Sequence, residues 1–120
     1  MDNHSRPPGK TTIAPDVLVT IARLTTLSVD GVSSLAIAPG EVNRIFRRSG
    51  TPNQGVRIMV ENNTVNADLY VILKRDVNVR DVCRSIQSQV SRAISEMVGM
   101  EVGKVNVHVE DIDYNLPEAA

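Results

Sequence analysis

The sequence predicts an α+β fold, a two-layer sandwich in which two helices pack on a mixed sheet in the order β-α-β-β-β-α-β. Three stretches carry that expectation. Residues 78–111 hold a capped amphipathic helix that turns at a glycine into an alternating strand, residues 56–73 alternate on both sides of an Asn-Asn pair, and residues 17–24 repeat a helical apolar spacing. At 120 residues the chain has the length of about one domain, and a domain of that size buries roughly two-thirds of its unfolded surface, so one core is expected over residues 11–114.

In chain order, residues 1–10 are polar and include Pro7, Pro8 and Gly9. They hold too few apolar groups to offset the entropy of ordering, which predicts a disordered tail. Thr11 to Ala14 suit a short strand. Pro15 then fits the first turn of a helix, where its missing N–H costs little and Asp16 favours the dipole. Val17, Leu18, Ile21, Ala22 and Leu24 form its stripe, which fades near Thr25 and Thr26. Asp30 and Gly31 make a turn before a short apolar strand from Val32 to Ala38.

Pro39 to Gly55 is the least regular part, punctuated by Gly40, Gly50 and Pro52 and holding Ile45 and Phe46 among Arg44, Arg47 and Arg48. It reads as a long loop carrying one helical turn, which could pack on itself or enter an anionic membrane surface or a partner's groove. Val56, Ile58 and Val60 alternate with polar or flexible neighbours, Asn62 and Asn63 tolerate the positive φ of a tight turn, and Val65, Ala67, Leu69, Val71 and Leu73 resume the alternation, giving a hairpin. Tyr70 and Ile72 make the second arm apolar on part of its other face, as in a central strand. Asn78 is placed as an N-cap with Asp81 three residues on. Val79, Val82, Cys83, Ile86, Val90, Ala93, Ile94 and Met97 form the stripe of the second helix, with Gln87 on its polar side, and Gly99 suits a left-handed C-cap. Val105, Val107 and Val109 then alternate with Asn106, His108 and Glu110 in a closing strand. Residues 115–120 are expected to be a flexible tail.

Charge narrows the function classes. The net charge of −1 argues against a protein dedicated to wrapping DNA. Its distribution is uneven, since residues 44–92 carry a net +5 and residues 93–120 a net −5. If the fold keeps these apart, head-to-tail contacts between copies would follow, with Glu110, Asp111 and Asp113 as the acidic partner surface. Arg44, Arg47, Arg48, Arg57, Lys74, Arg75, Arg80 and Arg84 could alternatively form a basic RNA-binding zone. With Phe46, Tyr70 and Tyr114 as the only aromatics beside the two histidines, a base-stacking platform is hard to build. The single Cys83 excludes an intramolecular disulfide and a cysteine-based zinc site, and sits in an apolar stripe where it serves as a small hydrophobe. No apolar run reaches the length of a membrane span and no secretory segment follows Met1, so a cytoplasmic protein is expected. His108 with Asp68 and Tyr70 could form a polar cluster on one sheet face, most simply a structural one. No phosphate-binding glycine loop appears, no cofactor or metal is expected, and no enzymatic activity is predicted.

Several short stretches together resemble the alkaline shock protein family of bacteria, a general-stress or envelope-stress family. They are Ile13-Ala14-Pro15-Asp16-Val17-Leu18 with Ile21-Ala22, Val29-Asp30-Gly31-Val32, Asp68-Leu69-Tyr70-Val71, Asn78-Val79 with Val82, Ile86-Gln87, Met97-Val98-Gly99, and Val105-Asn106-Val107-His108-Val109. The resemblance covers about residues 11–112 and implies a small cytoplasmic α/β protein without catalysis. It further implies a role in cell-envelope homeostasis and stress, self-association into a homo-oligomer, and a membrane-anchored protein partner that holds the chain at the inner face of the membrane.

Overall fold

The computed structural model describes residues 8–37 and 55–114. Residues 1–7, the irregular stretch with Arg44, Ile45, Phe46, Arg47 and Arg48, and the end 115–120 lie outside them. The elements are α1 (Pro15–Ser28), β1 (Val32–Leu35), β2 (Val56–Glu61), β3 (Thr64–Lys74), α2 (Val79–Val98) and β4 (Glu101–Asp113). Two helices on a four-stranded mixed sheet match the expected fold class, with one strand fewer. Residues 11–14 form neither strand nor helix. Their local preference for extended backbone finds no vacancy on the central strand, because both edges of β3 are already paired.

β3 is that centre. β4 runs parallel to it from Thr64↔Glu101 to Lys74↔Asp113, along one whole edge. The other edge is shared by β2, antiparallel from Glu61↔Thr64 to Val56↔Leu69, and by β1, antiparallel from Leu35↔Val71 to Val32↔Leu73. Asn62 and Asn63 close the β2–β3 hairpin with φ of 52° and 62°, both in the left-handed region that such a two-residue turn requires. The parallel β3–β4 pair needs a crossover, and α2 supplies it. β1 stops at Leu35, short of the expected Ala38, where the chain is about to yield the edge to β2. At that seam Tyr70 bonds both sides: the Ala36 amide donates to the Tyr70 carbonyl at 2.8 Å, and the Tyr70 amide donates to the Gly55 carbonyl at 2.8 Å.

Alternation on β3 decides where the core lies. Val65, Ala67, Leu69, Val71 and Leu73 are all at most 1% exposed. Val65, Leu69, Val71 and Leu73 form one cluster with Leu18 and Ala22 of α1 and Val82, Ile86, Val90 and Ile94 of α2, so both helices cover the same sheet face. The helix signals match the geometry. Asn78 Oδ1 accepts from the Asp81 amide at 3.0 Å, and Gly99 closes α2 with φ of 74°. The stripes are narrower than the spacing suggests, however. Val79 and Met97 at the two ends of α2 are exposed, as are Val17 and Leu24 on α1, while Cys83 is half-buried. Gln87, on the polar side of α2, reaches the sheet and donates from Nε2 to the Val105 carbonyl at 3.0 Å. Thr26 is fully buried on α1, and its hydroxyl has no hydrogen-bond partner among the described residues.

Two stability predictions follow from this packing. Ile86→Ala is expected to lose about 2–4 kcal/mol through lost burial and an unfilled cavity, and Gln87→Ala only about 0.5–1.5 kcal/mol for one hydrogen bond. Equal losses in urea melts would put the stripe on the wrong face. Thr26→Val keeps the shape and removes a buried hydroxyl, so it is expected to leave stability unchanged or raise it by about 1 kcal/mol. A clear drop in the urea midpoint would mean the hydroxyl is bonded in solution.

Candidate interaction surface

The strand period that buries Val65 to Leu73 turns Asn66, Asp68, Tyr70 and Ile72 toward the opposite face, which neither described helix covers. The parallel register sets Asn106 beside Asp68 and His108 beside Tyr70, and the hairpin register sets Arg57 beside Asp68 and Met59 beside Asn66. Three strands therefore bring chemically distinct side chains onto one flat surface.

At its centre His108 Nε2 lies 3.2 Å from Asp68 Oδ1, and Asn106 Nδ2 donates to the same oxygen at 3.1 Å. The imidazole stacks on the Tyr70 ring with centroids 4.5 Å apart and planes 14° apart, and Tyr70 is only 8% exposed. The polar cluster expected from the sequence is thus assembled. Burial pulls the Asp68 carboxyl upward, but the hydrogen bonds from His108 and Asn106 and the charges of His108 and Arg57 outweigh it, so its pKa falls below the ordinary 3.8. Cys83 lies in α2, on the other side of the sheet, where burial pushes its thiol above the ordinary 9.0. The arrangement orients side chains for contact and offers His108 no thiol to activate. Among the described residues no cluster of three or more His, Cys, Asp or Glu could hold a metal ion.

Glu110, Asp111 and Asp113 stand at the end of β4. Glu110 is exposed at an irregularity of the β3–β4 register, Asp111 Oδ1 accepts from the Ile112 amide at 2.8 Å, and Asp113 Oδ2 accepts from Ser33 Oγ at 2.8 Å. Asp113 also pairs in register with Lys74. One residue of the acidic stretch and one of the basic stretch are therefore register partners at this end of the sheet. Met59, 57% exposed beside the cluster, was not singled out as a contact residue from sequence. Its signal was present: a large apolar residue at a polar position of an alternating strand.

The Asp68 geometry carries a pH dependence with a definite sign. A carboxyl whose folded pKa is depressed contributes stability that is present above its unfolded pKa of about 3.8 and is lost as pH falls through the lower folded value. Asp68→Asn is therefore expected to lower the urea midpoint at pH 7 and to approach wild type as pH falls below about 4. A gap between the two that stays constant down to pH 2 would mean that Asp68 is not stabilised as the anion.

Comparison with known proteins places this geometry. The model of the alkaline shock protein 23 family, described as having a cell envelope-related function, matches residues 3–114. The chain is 34% identical over 105 residues to the uncharacterized protein Spy1535 of Streptococcus pyogenes serotype M6, covering 87% of this chain and 79% of that protein. It is 26% identical over 117 residues to the uncharacterized protein YqhY of Bacillus subtilis strain 168, covering 96% and 85% respectively. Among solved structures it is similar to the MamM CTD in a copper form, with a TM-score of 0.58 and 11% identity over 85% of this chain and 90% of that one. A zinc form of a variant of the same domain gives a TM-score of 0.58 and 11% identity over 87% and 92%. At that identity the likeness shows the fold alone. With the family match running through every described helix and strand, the chain belongs to the alkaline shock protein family, whose function is related to the cell envelope.

Proposed function

We propose that this chain is a non-enzymatic interaction subunit in cell-envelope homeostasis and stress, and that it docks a protein partner on the helix-free face of its sheet. The observation that carries the reading is the make-up of that face. Arg57, Met59, Asp68, Asn106 and His108 meet on three hydrogen-bonded strands, so a partner would find an apolar side chain ringed by oriented donors and acceptors on a rigid support. Met suits such a role because its unbranched thioether adapts to the surface it meets.

A protein partner fits this face better than RNA. The aromatic ring on the sheet, Tyr70, is covered by His108 and is not available to stack on a base. No helix among the described residues is long and apolar enough to cross a membrane, so recruitment to the inner face of the membrane would run through a membrane-anchored partner. The family's envelope-related description supports this reading.

Affinity capture from the native cell, with nuclease and detergent applied to parallel samples, tests it. The partner is expected to survive both treatments, and Met59→Glu is expected to reduce its recovery roughly tenfold, the effect of losing one well-packed contact. Circular dichroism and the urea midpoint should stay at wild-type values, because Met59 is exposed. Capture abolished by nuclease would favour RNA, and capture indifferent to Met59→Glu would remove this face from the reading.

A further inference from the structure

Helix α1 carries more apolar surface than the sheet covers. Of its 14 residues only Asp16 and Arg23 are charged. Leu18 and Ala22 face the core, yet Val17, Leu24 and Leu27 are 45%, 55% and 40% exposed, and Ile13 just ahead of the helix is 39% exposed. With Thr20 between them, Val17, Leu24 and Leu27 step by three, four and three residues, which lines them along one stripe away from Leu18 and Ala22. A helix that is apolar on two sides is ordinarily covered on both.

The two charges indicate what covers the second side. Asp16 and Arg23 are seven residues apart, about two turns, and so share one flank of the stripe. They are opposite in sign. No hydrogen bond or ion pair joins either to another described residue. If a second α1 is laid antiparallel about a two-fold axis near Thr20, Asp16 meets Arg23 of the second copy, and Arg23 meets its Asp16. The same operation sets Val17 against Leu24. A parallel arrangement would instead place the charged flank against the uncharged flank of Ile21 and Ser28. The stripe is self-complementary in the antiparallel sense alone, the property of an isologous interface.

We propose that two copies of this chain associate through the Val17, Thr20, Leu24 and Leu27 face of α1, antiparallel about a two-fold axis near Thr20. This deepens the reading of the chain as an assembly subunit by naming one partner as a second copy. It leaves the helix-free sheet face open for another protein. A helix of 14 residues is about 21 Å long and offers less than the roughly 800 Å² per partner of a standard interface, so the dimer is a reversible one.

Sedimentation equilibrium of the full chain, from low micromolar to near-millimolar concentration, tests the proposal. The mass is expected to rise from one chain of 13.1 kDa to two and no further. Leu24→Lys should move the midpoint to at least roughly tenfold higher concentration. Asp16→Lys and Arg23→Glu should each weaken the dimer, and the two combined should restore it, because every cross-copy pair is then reversed. Thr20→Cys in a Cys83→Ser background should give a disulfide-linked dimer on mild oxidation. Circular dichroism confirms that each variant is folded. A single-chain mass at every concentration, a larger open assembly, a dimer indifferent to Leu24→Lys, or a double reversal no better than the single ones would overturn the proposal. None of these outcomes bears on partner capture through Met59, so the two readings fail separately.

Discussion

Every element of this fold depends on the full pairing of β3. Its eleven residues are hydrogen-bonded along one edge to β4 and along the other to β2 and β1 placed end to end. A strand buried in the middle of a sheet must satisfy each amide and carbonyl internally, since an unpaired one costs as much as a lost hydrogen bond. Three strands therefore take their position, direction and register from one. The helices follow, because the broad apolar surface they cover among the described residues is the row from Val65 to Leu73 on that strand and its flanking residues.

The two faces of the sheet obey different physics. The helical side is held by burial, which is large in sum and has little directional preference. The other side is organised by directional contacts around Asp68, where two donors converge on one carboxylate oxygen and a histidine ring lies over a tyrosine ring. His108 and Asp68 both keep contact with solvent, with side-chain exposures of 42% and 23%, so their ion pair adds modestly to stability. Its main effect is to fix orientation, holding the imidazole parallel to the Tyr70 ring.

Whatever depended on near neighbours in sequence was legible before the structure. The Asn78 cap, the Gly99 terminator, the Asn62-Asn63 turn and the alternation of β3 are each set within a few residues, and each appears where the pattern placed it. What depended on competition for space was not legible. Thr11 to Ala14 have the preferences of a strand but pair with none, the central strand being filled on both edges, and the outer members of both helical stripes extend past what the sheet can cover. The face shared by Asp68 and His108 could be read from periodicity, yet their contact rests on a parallel register set by the length of the α2 crossover. The exposed side of α1 shows the converse error, in which an apolar position was taken for a core position.

The seam at Tyr70 gives the fold an entry port. Because Ala36 and Gly55 bond to opposite backbone groups of the same residue, the chain leaves the sheet and returns to it within one residue of β3. The threshold of that port is fixed by sterics. Gly55 sits at φ of 71° with the Tyr70 carbonyl 2.8 Å from where a side chain would begin and the Ala36 carbonyl nearer still, so any other residue there would wedge β1 away from β2. A glycine at this one position keeps two strands in line along the same edge.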